Sequence, residues 1–204
     1  MNGWEKAYQI FDVIPWDKKE PPQCLKDFDK IKSGKILDLG CGTGNFSYYF
    51  LKRGFDVIGF DVSQTAINIA KKRYTESDKL KFVVGCGEKV DFHDNSFDVV
   101  LCWAVLHHLK KGERQSVLDE IKRVLKNRGY LIATGFSNQD LKYPEVKKKV
   151  SDLTGTIYYK QTKEEFLNMF DGFSLVEYKH IEDFDNGEPD RVRGFNFGVF
   201  RLNK

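Results

Sequence analysis

Residues 36–46 read Ile-Leu-Asp-Leu-Gly-Cys-Gly-Thr-Gly-Asn-Phe, and no other stretch restricts the fold so severely. A short apolar run enters glycines at alternate positions, Gly40, Gly42 and Gly44, and a helical pattern starts at Asn45. Glycine tolerates positive φ and lets the backbone come close to another group. A helix start leaves N–H groups available to an anion. The dinucleotide fingerprint is GxGxxG, with a pyrophosphate on the helix N-terminus. The spacing here is GxGxG, which disfavours a nicotinamide dehydrogenase. With Asp38 ahead of the glycines, it fits a ligand bearing an amine and a carboxylate. Asp38 would hold the ammonium, and the glycine backbone would accommodate the amino-acid tail. A tight turn that binds nothing is the competing reading.

Asp61 closes the next apolar run, Val57-Ile58-Gly59-Phe60-Asp61. Its distance from the glycines is close to the ~20-residue interval at which such turns are followed by a ribose-binding carboxylate. The pattern then repeats. Strands are expected at Lys35–Leu39, Asp56–Phe60, Lys81–Val84, Phe97–Cys102 and Tyr130–Thr134. Helices are expected at Asn45–Arg53, Ser63–Tyr74 and Glu113–Lys126, the last with Val117, Ile121, Val124 and Leu125 on one side and Gly129 as its stop. Thr162 and Glu165 make a capping box for a short helix over Thr162–Phe170. Two late strands, Ser174–Ile181 and Gly194–Leu202, flank a turn at 185–189. The rhythm predicts an α/β, Rossmann-like, seven-stranded and mostly parallel sheet, with helices on both faces and a C-terminal antiparallel hairpin.

At 204 residues this is one domain, and no metal or disulfide is needed to hold it. The 33 basic residues nearly balance the 30 acidic ones, for a net charge of +3, which argues against a nucleic-acid partner. The clusters Lys71-Lys72-Arg73, Lys110-Lys111 and Lys147-Lys148-Lys149 read as solvated helix faces. Cys24, Cys41, Cys86 and Cys102 form no CxxC pair, so they read as reduced thiols in a cytoplasmic protein. The longest apolar run, Val99–Leu106, is far short of the ~20 residues of a membrane span.

The segments Asp38–Gly44, Gly59–Ser63, Asn95–Val100, His107-His108-Leu109, and Arg123–Lys126 with Gly129 resemble, in order and interval, the motifs of class I S-adenosylmethionine-dependent methyltransferases. The resemblance spans about residues 35–135. It implies S-adenosylmethionine as cofactor and S-adenosylhomocysteine as product. The cofactor would be bound by Asp38, Gly40, Cys41, Gly42, Gly44 and Asn45 at the first turn, and by Asp61 and Val62 at the second. Many members carry an acidic residue after the third strand; here the run is Gly85-Cys86-Gly87. A thiol cannot accept as a carboxylate does, so the adenine contact is expected from backbone near Cys86 and Gly87, with Glu88 as a substitute.

Trp4–Tyr8, Ile14-Pro15-Trp16 and Pro21 are similar to the N-terminal segment of thiopurine methyltransferase-like and tellurite-resistance-type methyltransferases. That implies a lid over residues 1–30, with Trp4, Tyr8 and Trp16 along the cofactor or substrate. The cofactor-binding core would be 35–135, and 136–204 a substrate-side insertion and hairpin. The acceptor implied is a small molecule, a thiol or other soft nucleophile, methylated by a monomer or homodimer. An oxygen or carbon methyltransferase acting on a quinone-like or lipid acceptor is the first alternative. A non-catalytic cofactor-binding regulator is the second.

Methyl transfer is an in-line displacement, and a base is needed only for a protonated nucleophile. His107 and His108 follow the fourth strand and are the candidate bases, able to take a proton near neutral pH. Packing against the turn is the alternative role for either. Trp16, Trp103, His107, Tyr158 and Tyr159 are the expected substrate contacts, with Trp103 also facing the cofactor. Cys102 is expected to be an inert buried thiol.

Overall fold

The structure, a computed structural model, describes residues 3–12, 14–139, 147–151, 154–184 and 192–204. Two short helices come first, α1 (Gly3–Ile10) and α2 (Gln23–Lys26). Then β1 (Lys35–Leu39), α3 (Asn45–Lys52), β2 (Asp56–Asp61), α4 (Gln64–Arg73), β3 (Leu80–Val84) and β4 (Phe97–Cys102) follow. A 3₁₀ turn at Leu106–His108 leads into α5 (Lys111–Val124) and β5 (Leu125–Phe136). The chain continues through β6 (Lys148–Val150), β7 (Ile157–Tyr159), α6 (Lys163–Leu167), β8 (Phe173–Phe184) and β9 (Val192–Leu202).

The main sheet has the order β3-β2-β1-β4-β5-β9-β8, as the seven-stranded expectation has it. β1–β5 pair in parallel; β9 runs antiparallel to both β5 and β8. The central strands are buried on both faces, so β1 is apolar nearly throughout instead of alternating. Alternation shows instead in which core each side chain joins. Leu37, Leu39, Val100, Cys102, Leu131 and Ala133 pack with α5 and α6. Ile36, Val99, Leu101 and Ile132 pack on the other face with Phe50, Phe55 and Ile67. The order turns back between β1 and β4, and a ligand crevice opens at such a switch point, outside the carboxyl ends of the strands.

Three features depart from the sequence reading. α5 ends at Val124, before Gly129, because Leu125 is already extended at φ −68°, ψ 138°. β5 pairs Leu125 with Phe97, bulges over 126–129 with Arg128 at φ 62°, and resumes with Tyr130 opposite Val99. Gly129 serves the close approach of two backbones there: a Cβ would lie 3.0 Å from Lys126 O and 3.1 Å from Asp98 O. Lys148 and Lys149 lie not on a helix but in β6, which pairs antiparallel with β7 in a separate two-stranded sheet. Arg73 is an ion-paired residue, described below. The capping box at Thr162 and Glu165 is formed as expected. The turn placed at 185–189 lies outside the described residues.

Candidate active site

The glycine turn joins β1 to α3 at the switch point. Gly40 N and Cys41 N donate to Phe60 O at 2.7 and 3.2 Å, which ties the turn to the end of β2. Gly42 sits at φ 53°, and a Cβ there would lie 2.6 Å from the Tyr8 hydroxyl. Close passage of the N-terminal segment therefore requires glycine. Gly44 has φ 82° and caps α3 from the left-handed region. Its missing Cβ makes room for Phe82 and Ala70, so it serves packing and does not line the crevice.

Two carboxylates flank the turn, both nearly out of water. Asp38 Oδ2 accepts from Ser47 Oγ at 2.5 Å. Burial pushes its carboxyl up to about 7, against the Ser47 hydrogen bond, and the neighbouring Asp61 charge adds to the rise. Asp61 accepts from Gly42 N at 2.8 Å and from Ser63 N at 2.9 Å, one bond to each oxygen. Its carboxyl is also raised by burial, with those backbone donors opposing. Val62 adds a third backbone hydrogen bond, and since a carboxylate offers about four acceptor positions, Asp61 keeps capacity for a further one.

The N-terminal segment lies across this turn. Glu5 on α1 accepts from Ser63 Oγ at 2.6 Å and from Thr65 N and Oγ1 at 3.2 and 2.7 Å, which docks α1 on the start of α4. Trp16 Nε1 donates to Tyr8 Oη at 3.1 Å. Asp17 accepts from the Thr43 hydroxyl, from Asn45 Nδ2 at 2.8 Å and from Arg73 at 2.5 Å. Asn45 also donates to Lys18 O at 2.8 Å and accepts from Tyr74 Oη at 2.6 Å. Asp17 and Arg73 lie outside the glycine motif and Thr43 inside it, and none of the three was named as a contact from the sequence.

A cavity of about 810 Å³ runs from these carboxylates to the loop after β4. Of the expected residues it takes in Trp4, Tyr8, Trp16, Asp38, Gly40, Cys41, Gly42, Asn45, Asp61, Val62, Cys86, Gly87, Glu88, Trp103, His107, His108, Tyr158 and Tyr159; Gly44 alone stays outside. Cys86 and Glu88 are exposed at its rim. Burial raises the thiols of Cys41 and Cys102 well above their ordinary value, so both stay protonated.

The far half of the cavity is aromatic and was only partly foreseen. Phe136 and Phe195 are register partners across β5 and β9, with ring centroids 4.8 Å apart. Tyr158 packs 4.9 Å from Phe136, and the Arg193 guanidinium lies 4.2 Å over the Phe136 ring. Phe136, Arg193 and Phe195 had no signal of their own in the sequence.

Both histidines depart from the expectation of titration near neutral pH. His107 is fully buried, and neither ring nitrogen has a hydrogen-bond partner among the described residues. Burial holds its imidazole far below the ordinary value. His108 is pushed down to about 4, chiefly by burial, with the Ile157 carbonyl opposing and the Arg193 charge adding. Each is neutral at pH 7.

Comparison with known proteins agrees with this geometry. Residues 37–133 match the family model described as a methyltransferase domain. A demethylmenaquinone methyltransferase of Staphylococcus aureus is 29% identical over 212 aligned positions, covering 98% of this chain and 87% of the relative. A crystal structure of a SAM-dependent methyltransferase from Methanosarcina mazei superposes with a TM-score of 0.76 at 23% identity, covering 90% of this chain and 99% of that one. A 1,6-didemethyltoxoflavin-N1-methyltransferase from Burkholderia thailandensis, solved with S-adenosylhomocysteine bound, reaches 0.67 at 18% identity, covering 85% and 72%. The chain spans 42–49% of the length of three other curated relatives.

The donor set suits the cofactor of such proteins, which carries an ammonium and a sulfonium: the buried carboxylates Asp38 and Asp61 line this end of the cavity. No helix among the described residues is long and apolar enough to cross a membrane. Residues 37–133 thus match a methyltransferase domain, and the chain around them has the fold of the solved methyltransferases.

Proposed function

We propose that the protein transfers a methyl group from S-adenosylmethionine to a small-molecule acceptor held in the cavity between the glycine turn and the loop after β4. The observation that carries this reading is the division of one cavity into a carboxylate-lined half and an aromatic half. Its 810 Å³ lies at the upper end of the ~300–1,000 Å³ range of ligand pockets, which suits two molecules side by side. A regulator that only binds the cofactor has no use for the aromatic half.

Each part of the chain has a role in this reading. Residues 35–135 form the cofactor core of a single domain, 1–30 the lid, and 136–204 the acceptor side. Asp38 holds the ammonium, and Asp61 accepts from a ribose hydroxyl. Backbone at Gly40–Gly42 passes along the amino-acid tail, with Cys41, Asn45 and Val62 beside it. Cys86, Gly87 and Glu88 border the adenine. When bound, S-adenosylmethionine supplies a methyl group made electrophilic by its sulfonium. The chain's part is to align the acceptor, exclude water and receive any proton released. Trp4, Tyr8 and Trp16 close the crevice from above.

Two acceptor classes have support. The N-terminal similarity to thiopurine- and tellurite-type enzymes favours a soft nucleophile. The Staphylococcus aureus relative, named for demethylmenaquinone, favours a quinone-like acceptor. Calorimetry tests the cofactor half of the proposal. S-adenosylhomocysteine should bind, and Asp61→Ala should weaken it by about 1–3 kcal/mol, the cost of an unpaired buried hydroxyl. Unchanged affinity would remove Asp61 from the site, and binding of NADH instead would overturn the reading.

A further inference from the structure

His108 differs from His107 in one respect that has chemical consequences. Its Nδ1 lies 3.0 Å from Ile157 O. A carbonyl oxygen only accepts, so Nδ1 carries the hydrogen. In the neutral ring this leaves the lone pair on Nε2. Nε2 has no protein partner among the described residues, and the half-buried ring borders the cavity. The surrounding walls are aromatic: the Trp4 and His108 rings meet at 84° with centroids 4.7 Å apart, and Phe136 is flanked by Phe195 and Tyr158 at 4.8 and 4.9 Å.

We propose that the acceptor is a planar aromatic molecule bearing a hydroxyl, seated among Trp4, Phe136, Tyr158 and Phe195, with that hydroxyl donating to His108 Nε2. This rests on the cofactor reading above and chooses between its acceptor classes. Aromatic walls reward a flat ring by stacked and edge contacts. A preformed thiolate or oxyanion has no proton to give, and would set its own lone pair against that of Nε2. A cationic acceptor is disfavoured by the Arg193 guanidinium over Phe136.

The transfer balances in charge. The hydroxyl oxygen's electron pair forms the new O–C bond, the pair of the breaking C–S bond returns to sulfur, and the hydroxyl proton passes to Nε2. One positive charge thus moves from sulfonium to imidazolium, which burial and Arg193 disfavour, so the ring then passes the proton on to solvent. The resulting methyl ether can no longer donate to Nε2, which favours its release.

Calorimetry on the protein saturated with S-adenosylhomocysteine tests this, with naphthol, its methyl ether and decahydronaphthol as probes. Naphthol is expected to bind about tenfold more tightly than either comparator, the size of one buried hydrogen bond or one stacked ring. His108→Phe should abolish the preference over the ether while S-adenosylhomocysteine still binds. If that variant does not fold, the comparison of naphthol with its ether on the unaltered protein decides. Equal binding of the two, or no naphthol binding by a protein that does bind S-adenosylhomocysteine, overturns the acceptor assignment alone. Failure of S-adenosylhomocysteine to bind overturns the cofactor reading and this inference with it.

Discussion

Asp38 shows how one buried side chain couples ligand binding to pH. Its folded-state pKa of about 7 exceeds the ordinary carboxylate value of 3.8. The folded protein therefore holds a proton that the unfolded chain has released. Stability contributed at this position is fullest at acid pH and declines as pH rises from about 4 to about 7. A bound ammonium favours the ionised form. S-adenosylhomocysteine affinity should accordingly rise with pH up to about 7 and then level off, in a titration series from pH 5 to 8. Asp38→Asn should flatten that profile and weaken binding. A flat profile in the unaltered protein would show that Asp38 does not meet the ammonium. The place of Asp38 and Asp61 was legible because each stands at the end of a strand, a few residues from a glycine turn or a helix start. The character of the two histidines was not. Burial, which the sequence does not display, decides whether an imidazole is charged at pH 7.

At the scale of elements, α1 and the segment after it are held by an apolar cluster, in which Trp4, Tyr8, Ile14 and Trp16 pack with Ala66 and Ile69, and by polar contacts. Asp17 gathers Thr43, Asn45 and Arg73, and its side chain is only 14% exposed, whereas that of Arg73 is 40% exposed. Solvent screens an ion pair on its exposed side, so the acid is the more consequential partner. Asp17→Ala should speed S-adenosylhomocysteine dissociation about tenfold, from the loss of part-buried hydrogen bonds worth about 1.5 kcal/mol. Arg73→Ala should have the smaller effect, and that effect should shrink further in high salt. Stopped-flow displacement measures both, and the reverse ranking would show that Asp17 is not what holds the segment down. The aromatic residues of this segment could be named from the sequence. Its anchor could not, because Asp17 and Arg73 lie 56 positions apart and neither belongs to a periodic pattern.

The whole molecule separates what holds the fold from what lines the cavity. Phe50 is fully buried against Phe55, on the α3 side of the sheet, and takes no part in the crevice. Phe50→Ala should cost about 3–5 kcal/mol of stability, the usual range for emptying a buried aromatic site. Thermal melts should show the loss while S-adenosylhomocysteine still binds one per chain. A lost binding site at a temperature where the variant remains folded would show that this core also shapes the crevice.

The βαβ rhythm, the glycine turn and the strand-end acids were readable in advance because each is written in contiguous residues, whose spacing alone sets the local backbone. The aromatic half of the cavity was readable only at Tyr158 and Tyr159, not in how its rings come together. Phe136 and Phe195 meet only because β9 folds back antiparallel beside β5, and Tyr158 and Ile157 reach His108 only through the small β6–β7 sheet. Pairings across such long intervals of chain follow from global packing and strand register, and no local pattern encodes them.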